Sequence, residues 1–276
     1  MIRFCMSAIY GVIAALGVGV GDHVTRGSAD RSFISQALGA FFLGNLIFAL
    51  LAVLYFGGEW RAGDLIVGAL SGLIAVTAIG TLYLGYQTAS AGVVGPPAAV
   101  LAVVVPVVFD LVFGQIPSSQ ILVGITIGIV SVLLISFNPL FTGNLRRGLG
   151  FSVLAGLSYG SLFVTLDQIS AESGFWSAVA QRLVGFLIFA GFSLNRGRKV
   201  FPEKNAFGVS FIGALFASVG ALAFLYGLQH GDLAPVAAIG TQYAAVTVIC
   251  GYFFRQEKLR SWQWAGLTGT VVSLSL

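Results

Sequence analysis

Long apolar runs separated by short charged connections set the rhythm of this chain. Runs of span length fall at roughly 5–24, 33–56, 65–84, 90–113 and 120–137, and again at 149–168, 175–194, 207–228, 233–254 and 262–276. A helix needs about 20 apolar residues to cross about 30 Å of hydrocarbon. The pattern therefore predicts ten membrane-spanning helices, the last one short.

The second set of runs repeats the first. Gly-x-Leu-Ile-Phe-Ala occurs at Gly44 to Ala49 and again at Gly185 to Ala190, 141 residues later. Gly11, Gly17 and Gly21 recur as Gly150, Gly156 and Gly160, and the pair Gly85, Gln87 recurs as Gly227, Gln229. Landmarks that recur at nearly one offset mark a duplicated unit. The expected organisation is a first five-helix repeat over 1–143 and a second over 144–276. An odd number of spans per repeat sends the second copy into the membrane from the opposite side, so the two halves are inverted. Inverted repeats are a transporter signature, because two similar halves can open a shared midplane site first to one side and then to the other.

Composition supports the membrane reading. Of 276 residues, 57% are hydrophobic and only 9% charged, against about a quarter charged in soluble domains. Arg3 before an apolar run resembles a signal peptide, but no small-residue cleavage pattern follows, and its glycines match those of a later segment. The segment is read as the first span. Cys5 and Cys250 lie in apolar runs without a CxxC or His/Cys cluster, so no disulfide framework, metal site or cofactor is expected.

The connections hold nearly all the charge. Those after spans 1, 5, 7 and 9 carry Arg26, Arg31, Arg146, Arg147, Arg196, Arg198, Lys199, Lys204, Arg255, Lys258 and Arg260, whereas the opposite side has Arg3 and Arg61. Positive residues accumulate on the cytoplasmic side, so the count puts both termini outside. The net charge of +4 then reads as topology beside anionic lipid, with no nucleic-acid partner.

Two segments carry a family resemblance. Glu257, Leu259, Gln263 and Gly266 stand in the register Glu-x-Leu-x-x-x-Gln-x-x-Gly, which resembles the EamA repeat of the drug/metabolite transporter superfamily. The first half keeps the spacing from Gln115 to Gly124, with Gln115 in place of the acid and Pro117 in place of Leu. Arg182 matches an arginine often found early in the repeat's second helix, where the first half has Phe41. The resemblance implies a ten-helix carrier in the cytoplasmic membrane that exports small organic metabolites such as amino acids. It also implies cytoplasmic termini, opposite to the charge count.

Polar side chains at depth mark a solute path. Asn45 lies inside the repeated pattern where the second half has Phe186, suited to a substrate or to an interhelical hydrogen bond. Arg182 is the one cation well inside a span; its planar guanidinium suits a carboxylate, or it snorkels to the interface. Tyr83, Gln87, Tyr159, Gln242 and Tyr243 complete a candidate lining for a zwitterionic or carboxylate-bearing solute. Pro96 and Pro97 in the fourth span free backbone carbonyls and are expected to form a kink beside the cavity. Asp22 and Asp110, near span ends, are the candidates for proton coupling, with capping as the competing role. Every glutamate falls in or beside a connection, which disfavours a proton-coupled multidrug exporter.

Catalysis has little apparatus here. Gly19-Val20-Gly21-Asp22 spells GxGD, the signature of intramembrane aspartyl proteases, but that chemistry needs a second aspartate to divide the acid and base roles. None precedes Asp22, and Asp110 sits near the end of the fourth span. The chain has no HExxH or GxSxG motif and is read as a non-enzyme. Its expected state is a monomer or weak homodimer, because two fused halves already supply the pseudosymmetry.

Overall fold

The computed structural model describes residues 2–29, 32–89, 91–113, 118–136, 144–255 and 260–275. The elements among these residues are helices: α1 (Ile2–Ala29), α2 (Ile34–Phe56), α3 (Ala62–Thr88), α4 (Ala91–Val112), α5 (Ser119–Ser136), α6 (Leu145–Asp167), α7 (Trp176–Asn195), α8 (Lys204–His230), α9 (Leu233–Gly240), α10 (Tyr243–Arg255) and α11 (Ser261–Ser275). One 3-10 turn, Ala171–Ser173, precedes α7. Among the described residues, seven stretches are long and apolar enough to cross a membrane: those of α1, α2, α3, α6, α7, α8, and the pair α9 and α10 together. Pro97–Val112 and Leu122–Ile135 are shorter apolar helices. Large apolar side chains face outward, Leu54 at 82% and Phe254 at 78% exposure, which in a bilayer meets lipid and not water. The protein is a multi-pass membrane protein.

Helix α4 runs from Ala91 through Pro96 and Pro97, both within two turns of its start, where few intrahelical bonds are lost. One feature departs from the sequence pattern: the ninth span is interrupted at Thr241 and Gln242, where Gln242 N donates to Ile239 O at 3.1 Å in a tighter turn. The Glu257 and Leu259 part of the family motif and its first-half counterparts Gln115 and Pro117 lie outside the described residues.

Helix pairing follows small residues. Apolar surface gives no driving force between helices already in lipid, so close backbone packing and interhelical hydrogen bonds hold the bundle. The main pairs are α1 with α8, α3 with α6, α2 with α7, α4 with α6, α1 with α9 and α10, α3 with α7, α2 with α8, and α5 with α11. In the α1–α8 seam a Cβ on Gly17 would lie 2.6 Å from Gly220 N and 2.8 Å from Phe216 O. Ser210 Oγ donates to Ser28 Oγ at 2.7 Å, and Ser28 Oγ to Ala206 O at 2.8 Å, further along it. Ser273 Oγ donating to Gly124 O at 2.8 Å ties α11 to α5.

Gly17→Leu is expected to destabilise the protein by about 1–3 kcal/mol, since backbone on the facing helix cannot move aside cheaply. Gly150→Ala, with nothing within 4 Å of the added methyl, should be neutral or slightly stabilising. Thermal unfolding in detergent compares the two.

Candidate functional site

A cavity of about 140 Å³ lies where α1, α2, α3, α6, α7 and α8 converge, and Gly240 and Tyr243 reach it from the two sides of the α9–α10 interruption. An apolar protein cavity near 150 Å³ holds one benzene-sized molecule, which sets the size class of an occupant in this conformation. Most of the lining is apolar, with Phe41, Phe42, Phe163 and Phe224 as its bulkiest members. Alanines at 14, 75, 178, 217 and 221 leave the space those rings would otherwise fill. The polar liners are Asp22, Asn45, Tyr159, Gln181, Arg182 and Tyr243.

These polar groups differ in how far the protein satisfies them. Asn45 Nδ2 donates to Phe41 O at 2.9 Å, one turn back on α2, while its Oδ1 accepts from Ser218 Oγ at 2.9 Å on α8. Gln181 Nε2 donates to Ser71 Oγ at 3.0 Å, and that hydroxyl donates to Gly68 O at 2.7 Å, linking α7 to α3. Both amides therefore hold helices together. Arg182, six residues into α7, stands about 9 Å below the helix start. Among the described residues its guanidinium has no hydrogen-bond or ion-pair partner, although it lines the cavity. Asp22 lies one turn before Arg26, and its carboxylate interacts electrostatically with Arg26, Tyr86, Tyr159 and Tyr243. The Arg26 guanidinium carbon lies 5.9 Å from the Tyr86 ring centre.

Of the sequence-derived candidates, Asn45, Tyr159, Arg182, Tyr243 and Asp22 come together here, from five helices. Tyr83 is buried in the apolar core, its ring 6.3 Å from that of Tyr86, and does not line the cavity. Gln87 is exposed one turn further along α3. Gln242 faces away toward α11, where its Oε1 accepts from Thr270 Oγ1 at 3.2 Å. Asp110 Oδ2 accepts from Ala234 N at 3.0 Å, serving an otherwise orphaned amide at the start of α9. The two aspartates of a GxGD protease reading therefore do not share the cavity. The phenylalanines escaped sequence reasoning, since an apolar residue in a membrane span carries no sign of which way it faces; Gln181, polar and next to Arg182, was not picked out as a liner.

Connections from the two halves of the chain meet at both ends of the bundle. Beyond the N-terminal end of α7, Arg61 forms an ion pair with Glu172, and Ser170 Oγ donates to Asp64 Oδ2 at 2.6 Å. Glu59 N donates to Glu172 O at 2.8 Å, and the rings of Trp60 and Trp176 cross edge to face at 4.8 Å. At the opposite end Gln36 Nε2 donates to Lys199 O at 2.9 Å, and the Arg198 guanidinium carbon sits 3.5 Å from the Phe33 ring centre.

An all-helical membrane bundle enclosing a mostly apolar cavity with a few convergent polar groups is the architecture of a solute-handling membrane protein. Residues 146–276, just under half of the chain, match the EamA-like transporter family, consistent with the drug/metabolite transporter superfamily. Members of that family are membrane transporters, not enzymes. A solved structure described only as "Crystal structure of protein" aligns over 98% of this chain and 95% of its own, with a TM-score of 0.81 and 11% identity. That likeness concerns the fold alone. None of the curated proteins matches the chain in sequence.

The Asn45–Ser218 bond yields a stability test. A double-mutant cycle of Asn45→Ala and Ser218→Ala should give a coupling of about 0.6 kcal/mol, the average for hydrogen bonds between membrane helices, and no more than about 1.7 kcal/mol. Coupling near zero in denaturant or thermal unfolding would reassign Asn45 away from helix pairing.

Proposed function

We propose that the protein is a secondary carrier that exports small carboxylate-bearing or zwitterionic metabolites, amino acids among them, across the cytoplasmic membrane. Arg182 carries this reading: it is a cation in a largely apolar cavity with no partner among the described residues. Charge at that depth is costly, and the cost is offset when a solute carboxylate accepts two parallel hydrogen bonds from the guanidinium. The aromatic liners suit the remainder of a small organic solute, and Asn45, Gln181, Tyr159 and Tyr243 limit its orientation.

The mechanism proposed is alternating access between two inverted five-helix repeats, 1–143 and 144–276, in a ten-span arrangement with α9 and α10 as one broken span. The packing scheme supports it. Exchanging the halves converts the α1–α8 seam into α6–α3, α4–α6 into the contact of α9 and α10 with α1, and α2–α8 into α7–α3. The α2–α7 and α5–α11 pairs are their own counterparts. The two end contacts exchange as well, because the connection joining α2 to α3 corresponds to that joining α7 to α8. Loosening one end while the other holds is the motion an inverted pair performs. Solute would favour the conformation in which it is enclosed.

Asp22 motivates a second reading. It is the one acidic liner of the cavity, so a proton-coupled exporter of organic cations would use it in place of Arg182.

Proteoliposomes loaded with labelled amino acids, other carboxylates and their amides separate the readings. Arg182→Ala is expected to lower transport of carboxylates by about tenfold or more, the worth of a charge-assisted hydrogen bond, while the amides change little. Loss confined to organic cations, together with sensitivity to Asp22→Asn, would favour the second reading. Equal loss for all solutes would make Arg182 structural.

A further inference from the structure

The fourth and ninth spans are counterparts in the two halves of the chain. Ala91–Val112 and Leu233–Phe254 have the same length and lie 142 residues apart, the offset that also relates Gly85 to Gly227. One is a continuous helix, and the other is broken at Thr241 and Gln242. The first half has Ala99 and Val100 at those places, and all four residues border one narrow void between α4, α5 and α9. The break therefore falls where the second half carries polar side chains and the first half does not.

Those side chains take over a helical bond. In an unbroken helix Ala238 O would accept from Gln242 N. Instead Thr241 Oγ1 donates to Ala238 O at 2.8 Å, Gln242 Nε2 approaches the same oxygen at 3.4 Å, and Gln242 N turns to Ile239 O at 3.1 Å. Side chains that bond nearby backbone compete with the helical ladder in this way, and alanine and valine have no group to do so. The Gln242 amide is also anchored at its other end. Thr270 Oγ1 on α11 lies 3.2 Å from Gln242 Oε1 and equally far from Gly266 O, and shares its proton between them. Room for the amide comes from Gly128 on α5, where a Cβ would lie 2.9 Å from Gln242 Nε2. Gly128 and Thr270 are themselves counterparts at the offset of 142. The first half thus offers Val100 a glycine where Gln242 meets a hydroxyl, and the anchor exists in one half only.

Tyr243 follows the break directly and lines the central cavity, with Gly240 on the other side of the interruption. Rewinding Thr241 and Gln242 from three residues per turn to 3.6 would turn α10 by about 40° against α9 and carry the Tyr243 ring along the cavity wall. We propose that the Gln242 amide, held by Thr270, keeps the ninth span broken and so fixes Tyr243 at the solute, which makes Gln242 a positioning residue for a site that it does not touch. The part of this that concerns solute rests on the carrier reading above; the hinge does not.

Fluorine NMR reads the hinge without transport. A fluorinated tyrosine encoded at position 243 gives one resonance, whose shift reports the surroundings of the ring. Q242M and T270V nearly keep side-chain size and remove the bond between α10 and α11. Both are expected to displace the resonance in the same direction, and Q242M/T270V no further than either alone. T270S keeps the hydroxyl and should keep the original shift. In proteoliposomes given labelled valine, leucine and phenylalanine, Q242M and T270V should raise the KM of each amino acid that is carried by about threefold, the worth of one hydrogen bond between membrane helices, with kcat changed less.

A resonance that ignores both variants would overturn the hinge. So would one that moves with Gly19→Ala and not with Q242M: a Cβ on Gly19 would lie 2.7 Å from Tyr243 O, and the α1 seam would then be what places the ring. A displaced resonance with unchanged KM would overturn the positioning role. Absence of uptake by the unmodified protein would count against the carrier reading, and the resonance would still decide the hinge. Should Q242M fail to fold, T270V carries both measurements.

Discussion

Hydrocarbon offers no hydrogen bonds, and that constraint separates the structural polar groups of this protein from the functional one. Asn45, Gln181, Asp110 and Gln242 each find partners on a neighbouring helix or on the start of one. Their polarity fixes which helices pair and at what height. Arg182 alone combines a full charge, an intramembrane position and no partner among the described residues, and it faces a cavity. In a membrane such a group is tolerated where water or a solute comes to it. The site is thus defined by what the fold leaves unsatisfied.

The same constraint accounts for the way the cavity is held open. Seams such as α1–α8 bring backbones close through glycine and serine, so helices there need no large side chains between them. Large rings are set around the centre instead, with alanines between them leaving room. The closest seams, α1–α8, α3–α6 and α2–α7 among them, join one half of the chain to the other. At the two ends of the bundle polar loop groups add further links between connections from the two halves.

Much of the fold was legible in the chain because the bilayer imposes length. Spans read as 33–56 and 175–194 appear as Ile34–Phe56 and Trp176–Asn195, within a residue or so at each end. The site was less legible. Tyr83 and Gln87 are polar and close the third span, but rotation of α3 turns one into the core and the other outward. A hydropathy pattern that is apolar all round a helix gives no signal of that rotation. The ninth span shows the same limit: Gln242 and Tyr243 are adjacent, yet the turn between α9 and α10 points one at α11 and the other at the cavity. Arg182 stood out in both views, because a lone charge in a span is conspicuous in sequence and in space.

The central claim is that the cavity beside Arg182 is an exchangeable solute site reached from both sides of the membrane. Its most direct test is the reactivity of a cysteine placed at Ala221, a small cavity liner, with Cys5 and Cys250 replaced by serine. Impermeant thiol reagents would be applied to right-side-out and inverted vesicles. The expected result is labelling from both sides, slowed by a carboxylate solute when Arg182 is present and not when it is Gln. Labelling from one side only, or protection that ignores Arg182, would contradict the account.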